Sequence, residues 1–519
     1  MKHLASAVRR LGLIKACAIS AGALAASRVV YALYFSPLRR VPGPFLARLT
    51  NKRADLVAAF GGMARYARSE SERYGDIYVY GPNAVSISDP ADARIVFGAR
   101  SIRKAECYAA LDALNIENTL STRDPHLAST RRRQLGPYFS PSYLRRMEQT
   151  IMDYGVLALK QKWDSLISKS PAGSVEVNYS KEFLLATFDI SGALSFGRAF
   201  DALKNDDATI AHWILAVLIY TGTRYMLAGC PKFIASFILL PWERKCKKFI
   251  DFSAEAIAKR KELLSNLEEK GMGSEKPADL LQAFIDAEDP ESKVRMDPTQ
   301  VHAESITMLM VGSETSSNTL TWTLHLLMLH PQHYQRAADE VRSAFDKDHV
   351  IHYNEGKAKL PFIESCLYES MRLWPASSCQ IPRIAPEGGI TLRGHFLPAG
   401  TVINVNIQGV NLNEKIWASP HLFDPTRFLG NEAAKNRVLS FASGVRACPG
   451  KALAMMEMTT ILANLLKDYD FALPADYTLR GPAVLDKKGN PRVMDSRLFV
   501  VRTAKNPERD CRITVSKRI

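Results

Sequence analysis

The chain has 519 residues, 47% hydrophobic and 23% charged, an ordinary globular composition with enough apolar material for a large core. Lysine and arginine number 68 against 53 acidic residues, a net charge of +15 that favours anionic lipid, an acidic protein or nucleic acid as partner. No zinc-finger spacing and no basic helix interleaved with aromatic residues accompanies that charge, which sets nucleic acid aside.

The eight cysteines are Cys17, Cys107, Cys230, Cys246, Cys366, Cys379, Cys448 and Cys511. They are scattered without a CxxC pair, so no disulfide framework is expected and a reducing compartment is favoured. No linker, low-complexity tract or repeat marks a boundary in the body of the chain. The expected organisation is an N-terminal membrane anchor over 1–36, a proline-containing hinge over 37–50 and one large domain over 51–519.

Leu11 to Phe35 is mostly apolar and long enough to cross ~30 Å of hydrocarbon as a transmembrane helix. Lys15 and Arg28 lie near its ends, where basic side chains reach the headgroups. Ala23-Leu24-Ala25 resembles a signal-peptidase site, so a cleaved signal is the alternative reading. Arg39, Arg40, Arg48, Lys52 and Arg53 follow the segment, against Lys2, Arg9 and Arg10 before it. This bias puts the C-terminal side in the cytosol. The sequon Asn178-Tyr179-Ser180 then has no role. Pro42-Gly43-Pro44 makes a stiff break suited to a hinge.

Ile77 to Tyr80 and Ala84 to Ser88 predict a hairpin around Gly81-Pro82-Asn83. Helical periodicity dominates the rest of the chain. Asp297 caps a helix from Pro298 to His330, which Pro331 ends. Further helices are expected from Phe362 to Leu373 and from Pro449 to about Lys467. Thr401 to Ile407 and Leu498 to Arg502 read as strands, so the chain is mainly α with a minor β portion. The apolar segment Thr209 to Trp242 is either core or a lid that dips into a membrane.

The most informative stretch is Phe441-Ala-Ser-Gly444-Val-Arg446-Ala-Cys448-Pro449-Gly450, followed by a helical pattern. A helix N-terminus stabilises a thiolate at Cys448, and thiolate is the form that binds metal. Pro449 preorganises the first turn, and Gly444 and Gly450 allow tight turns and close approach of a flat cofactor. Arg446 offers a fixed cation to a carboxylate, and Phe441 packs beside the sulfur and keeps water away. A buried structural cysteine on a turn is the bland alternative. Chance alone gives this spacing in roughly one chain per ten thousand, so the chemical reading prevails.

FASGVRACPG resembles the haem-binding signature of the cytochrome P450 superfamily at Phe441, Gly444, Arg446, Cys448 and Gly450. PLRRVPGPF and SETSSNTLTW are similar to phrases in its fungal microsomal members. The resemblance implies a cytochrome P450 fold, heme b with Cys448 as the axial thiolate on iron, and propionate contacts at Arg446, Arg132 and Arg383. Ala128 stands where an aromatic residue or histidine is usual beside Arg132, and His126 is displaced by two.

Glu369-Ser-Met-Arg372 places an acid and an arginine on one helix face, and about two such pairs occur in any chain this long by chance. The resemblance joins them to Arg427, in a loop where Thr426 replaces a common Glu, as a structural lock. It also makes Val311 to Ser316 the oxygen-activation groove. Thr315 and Glu314 then serve as the catalytic hydroxyl and proton relay. Val311 stands where Ala or Gly is usual and narrows the space above the iron. Read alone, that polar string is a solvated patch.

The implied activity is monooxygenation of a lipophilic small molecule in fungal secondary metabolism, with O₂ and electrons from NADPH through NADPH-cytochrome P450 reductase, and cytochrome b5 as a second donor. The implied location is the endoplasmic reticulum membrane, single-pass, with a cytosolic catalytic domain. Arg132, Arg133, Arg145, Arg146 and Lys451 are candidates for the reductase-facing patch. The substrate space is expected among Arg103 to Thr122, Thr209 to Trp242, the helix before Glu314, and Ala376 to Ile381. The alternatives are a haem-thiolate isomerase or dehydratase that uses no O₂, and a non-catalytic haem-binding protein. A cysteine hydrolase lacks a histidine motif near Cys448.

Overall fold

A computed structural model describes residues 2–518 except 208, 210–212, 214–215, 218, 221–222, 224–231, 271, 273–275, 380, 478–480 and 487–488, and excludes the side chains of 2–14, 232, 234 and 235. The first helix, α1 (Lys2–Val30), continues as one wider turn over Tyr31–Phe35. Its span Lys15–Phe35 has mean hydropathy 1.5 and only 6% of its most apolar window is buried. By length and composition it can cross a membrane; a signal sequence passes the same test.

The proline segment that follows is packed down. Leu38, Val41 and Ala47 are buried with Ile77 and Val85 in a small β-rich core. Arg48 donates to the carbonyls of Leu38 (3.0 Å) and Val41 (2.5 Å), and Val79 N–H donates to Pro42 O at 2.7 Å. Gly43 has φ +149°, and a Cβ there would lie 2.8 Å from Val79 N, so only glycine lets the segment approach the strand.

The main sheet takes its strands from both ends of the chain. They are β1 (Ile77–Gly81), β2 (Ala84–Ile87), β3 (Arg103–Lys104), β4 (Ile381–Ile384) and β5 (Val402–Val405), in spatial order β1-β2-β5-β4-β3. The β1–β2 hairpin forms as its turn residues predict, with Val79 opposite Val85. β2 pairs with β5 in parallel; β5–β4 and β4–β3 are antiparallel, and Lys104 stands opposite Arg383.

Three small sheets lie outside the main one, and helices build most of the rest, among them α2 (Pro125–Leu135), α3 (Tyr179–Phe196), α4 (Lys232–Glu269), α5 (Pro298–Leu329), α6 (Pro361–Leu373) and α7 (Lys451–Asp468). Asp297 caps α5 through Thr299 N–H and Gln300 N–H, and Gln300 reciprocates in a capping box. α5 crosses the main core packed against α3, α6 and α7. Its Leu309, Leu320 and Trp322 are fully buried. Each such side chain contributes roughly 1.5–3 kcal/mol over an exposed one.

Two strand expectations change. Leu498 to Arg502 is not one strand: Ser496–Leu498 and Arg502–Ala504 pair antiparallel, with Phe499 and Val500 exposed at the turn between them. A short apolar run looks alike as a strand or as the end, turn and start of two. The run from Thr401 is a strand only to Val405, because Asn406 caps a short helix, Ile407–Asn411, through Gly409 N–H. Thr209 to Trp242 lies partly outside the described residues. Within its described part, Phe233, Phe237, Ile238 and Leu240 at the start of α4 are exposed.

Candidate active site

The loop before α7 is shaped by one glycine. Gly444 has φ +67°, and a Cβ there would sit 2.6 Å from Phe97 O, so no side chain fits. Gly450 is different, with φ −78° open to any residue, so it is not a turn glycine. Its empty side keeps the space near Cys448 Sγ clear, 3.9 Å from where a Cβ would stand. Cys448 N–H donates to Phe441 O at 2.9 Å, which closes the loop around the cysteine.

Cys448 has accessible area, yet protein surrounds it, so its sulfur lines a recess and not the outer surface. Burial raises the pKa of the free thiol. The Gly450 N–H and the cations of Arg132 and Lys451 oppose that rise. Neither of two small clefts, about 230 Å³ beside His349 and about 120 Å³ beside His330, is lined by Cys448, Thr315 or Glu314.

The polar string falls mid-way along α5. Thr315 Oγ1 donates to Val311 O at 2.7 Å, and Ser313, Thr319 and Thr323 repeat this bond to the carbonyl one turn back. The Thr315 hydroxyl is thereby held by its proton, with lone pairs left to accept from a ligand or water. Burial raises the pKa of the Glu314 carboxyl, opposed by Asn318. Asn318 Nδ2 donates to Glu314 O at 2.7 Å and lies 3.4 Å from its Oε2. Sequence reasoning missed Asn318, although its position one turn after Glu314 was a usable signal.

The three consecutive arginines separate. Arg131 is buried and pairs with Glu304 of α5 at 3.2 Å. Arg132 is exposed and donates to Ala447 O at 2.8 Å, next to the cysteine. Arg133 holds Asp289 through two bonds of 2.6 and 2.8 Å. The candidate basic patch is therefore reduced at Arg133, whose charge is matched. Lys451 lies over the rings of Tyr368 and Phe441, while Arg145 and Arg146 are exposed.

Arg446 is half-buried, with its Nη2 3.5 Å from Asp124 O; burial lowers its pKa, and nearby Arg383 adds to that. Arg383 is buried in β4, donates to Tyr108 OH at 3.2 Å, and leaves its buried Nε without a partner.

The lock forms as the motif predicts. Arg372 meets both Glu369 oxygens at 2.6 and 2.8 Å and caps the carbonyls of Asn411, Pro420 and Leu422. Arg427 Nε approaches Glu369 Oε1 at 3.4 Å, and Asp424 N–H donates to the same oxygen at 2.9 Å.

The chain belongs to the cytochrome P450 family: that family's model matches residues 56–481. Among curated proteins it is similar to three cytochrome P450 monooxygenases of Aspergillus fumigatus. It is 42% identical to helB1 over 502 residues (97% of this chain, 85% of that one). It is 44% identical to helB2 (94% and 96% covered) and 40% identical to helB3 (95% and 96%). Proteins of this family hold a haem iron through a thiolate. The residues here fit such a group. A sulfur faces a recess beside a helix start, and two arginines, one with an orphaned buried N–H, await carboxylates.

Proposed function

We propose that this monooxygenase oxidises a lipophilic small molecule at the recess between Cys448 and the middle of α5, as a step in fungal secondary metabolism. The observation that carries the reading is an accessible cysteine just before α7 together with a hydroxyl–acid pair, Thr315 and Glu314, on a polar stretch of α5, the central helix that packs against α7. Cys448 would hold the iron as a thiolate; Arg446, Arg383 and Arg132 would take the propionates; Phe441 would limit water at the sulfur. A thiolate-held haem, when bound, supplies the electron and dioxygen chemistry that places one oxygen atom in substrate.

The chain's own groups handle protons and shape. Thr315 accepts a hydrogen bond over the recess, and Glu314, kept protonated to higher pH than an ordinary carboxylate by burial, feeds protons toward it. Val311 narrows the same space. An intact Thr315–Glu314 pair favours oxygen chemistry over an isomerase, a dehydratase or a haem carrier, none of which needs it.

Electrons come from NADPH through NADPH-cytochrome P450 reductase, with cytochrome b5 as a second donor. The exposed Arg132, bonded to Ala447 O next to the cysteine, supports an acidic partner on that side, and the exposed Arg145 and Arg146 add to the basic surface. Lys15–Phe35 anchors the chain in the endoplasmic reticulum membrane with residues 51–519 cytosolic; its apolar length and the basic residues after it support this. The test is turnover of full-length protein with reductase, NADPH and isotopically labelled dioxygen, using a panel of terpenoid, steroid-like and polyketide compounds. A product carrying label from dioxygen supports the reading; products formed without dioxygen overturn it in favour of the isomerase class.

A further inference from the structure

α3 is the helix against which α5 packs most extensively, and two of its hydroxyls reach the α5 backbone just before Glu314 and Thr315. Gly312 makes the approach possible, because a Cβ there would lie 2.8 Å from Ser191 Oγ of α3. One turn earlier on the same face of α3, Thr187 is fully buried, and its Oγ1 lies 2.9 Å from Ser313 O of α5. Two hydroxyls of one helix therefore meet two successive residues of the other.

The Thr187 hydroxyl has one proton and more than one acceptor in reach. Phe183 O, one turn back in α3, is also 2.9 Å away, and Leu184 O is at 3.2 Å. A bond to a carbonyl of its own helix is the ordinary arrangement for a helical threonine. Here a carbonyl of a second helix stands equally near, so the proton is shared between α3 and α5. Ser313 O already serves its own helix, because the ladder of α5 runs from Ser313 O to Ser317 N–H. The turn closed by that bond carries Glu314, Thr315 and Ser316. A second donor on the carbonyl draws it outward and loosens the ladder bond, as an inserted side chain does where helices bend.

We propose that Thr187 is a positioning residue: by bonding Ser313 O it sets the α5 turn that carries Thr315. Gly312, having no side chain to strike Ser191, lets α3 come close enough for that bond. Fully buried, Thr187 touches neither substrate nor cofactor and acts only through the turn. The inference rests on the reading of Thr315 given above and adds to it a residue from a different helix.

The test uses the full-length holoenzyme, reduced and bound to carbon monoxide, and the variants Thr187→Val and Thr187→Ser. Val removes the hydroxyl at nearly the same volume, and the carbonyls it faced keep their helical N–H partners, so no polar group is stranded. The readout is the infrared stretch of the bound carbon monoxide, which responds to the dipoles nearest it. Thr187→Val is expected to shift that band, and Thr187→Ser to return it to the wild-type position. In a Thr315→Ala background the Val substitution should no longer move the band, because its effect passes through Thr315. A band that Val leaves unmoved overturns the inference, and so does a shift of equal size in both backgrounds. If Val does not accumulate as folded protein, Thr187→Ala takes its place and the same two results count against the inference. A wild type without the red-shifted carbon monoxide band, or a Thr315→Ala band at the wild-type position, sinks the functional reading itself and the inference with it. Either is distinct from any result of the Thr187 variants.

Discussion

Thr315 Oγ1 donates to Val311 O one turn back on α5, at 2.7 Å. The bond fixes the hydroxyl's rotamer and commits its proton, so the residue is left to accept through its lone pairs. Removing it should therefore disturb proton handling without disturbing the fold.

Thr315→Ala is expected to keep haem content and melting temperature while product formed per NADPH consumed falls by at least about tenfold, the low end of what positioned proton transfer contributes. Thr315→Ser should recover most of the coupling. Product and peroxide measured against NADPH give the answer; unchanged coupling in the Ala variant would count against oxygen chemistry at this helix.

Glu369 and Arg372 are both fully buried and share two short hydrogen bonds, so neither can lose its partner cheaply. Arg372→Ala strands the carboxylate and three carbonyls, and the expected cost is about 3–5 kcal/mol. Chemical unfolding should show that loss directly, or the variant should fail to accumulate as folded protein. A variant as stable as wild type would mean the triad is not the lock proposed.

Glu457 of α7 is buried, and burial raises its pKa to about 8, opposed by the nearby Ser316 hydroxyl of α5. Its ordinary value is 4.5, so between those two the folded state binds a proton that the unfolded state has released. Stability from this group is fully present below about 4.5 and is lost as pH rises toward about 8, with a slope of roughly 1.4 kcal/mol per pH unit at most. Glu457→Gln keeps the neutral form at every pH. Its melting temperature should gain on wild type as pH rises from 5 to 8; parallel curves would show that Glu457 does not titrate across this range on unfolding.

The features legible in the sequence were local. The capping box at Asp297 and Gln300, the hairpin turn at Gly81 to Asn83 and the spacing Gly444–Arg446–Cys448 each lie within one turn or loop, where a few residues decide the geometry. Long-range pairings were not legible. Nothing near Arg133 in sequence announces Asp289, and nothing in Arg103-Lys104 marks a strand that will oppose Arg383. Proximity on a helix misled in its own way: Arg131, Arg132 and Arg133 look like one basic face, but successive helical residues point about 100° apart and meet different partners.

The central claim is that Cys448 binds haem iron as a thiolate. Full-length protein in freshly prepared membranes, reduced with dithionite and exposed to carbon monoxide, should give a strongly red-shifted Soret band in the difference spectrum, and Cys448→Ser should abolish it. A folded wild-type protein with no haem signal, or a red-shifted band that survives Cys448→Ser, would contradict the account.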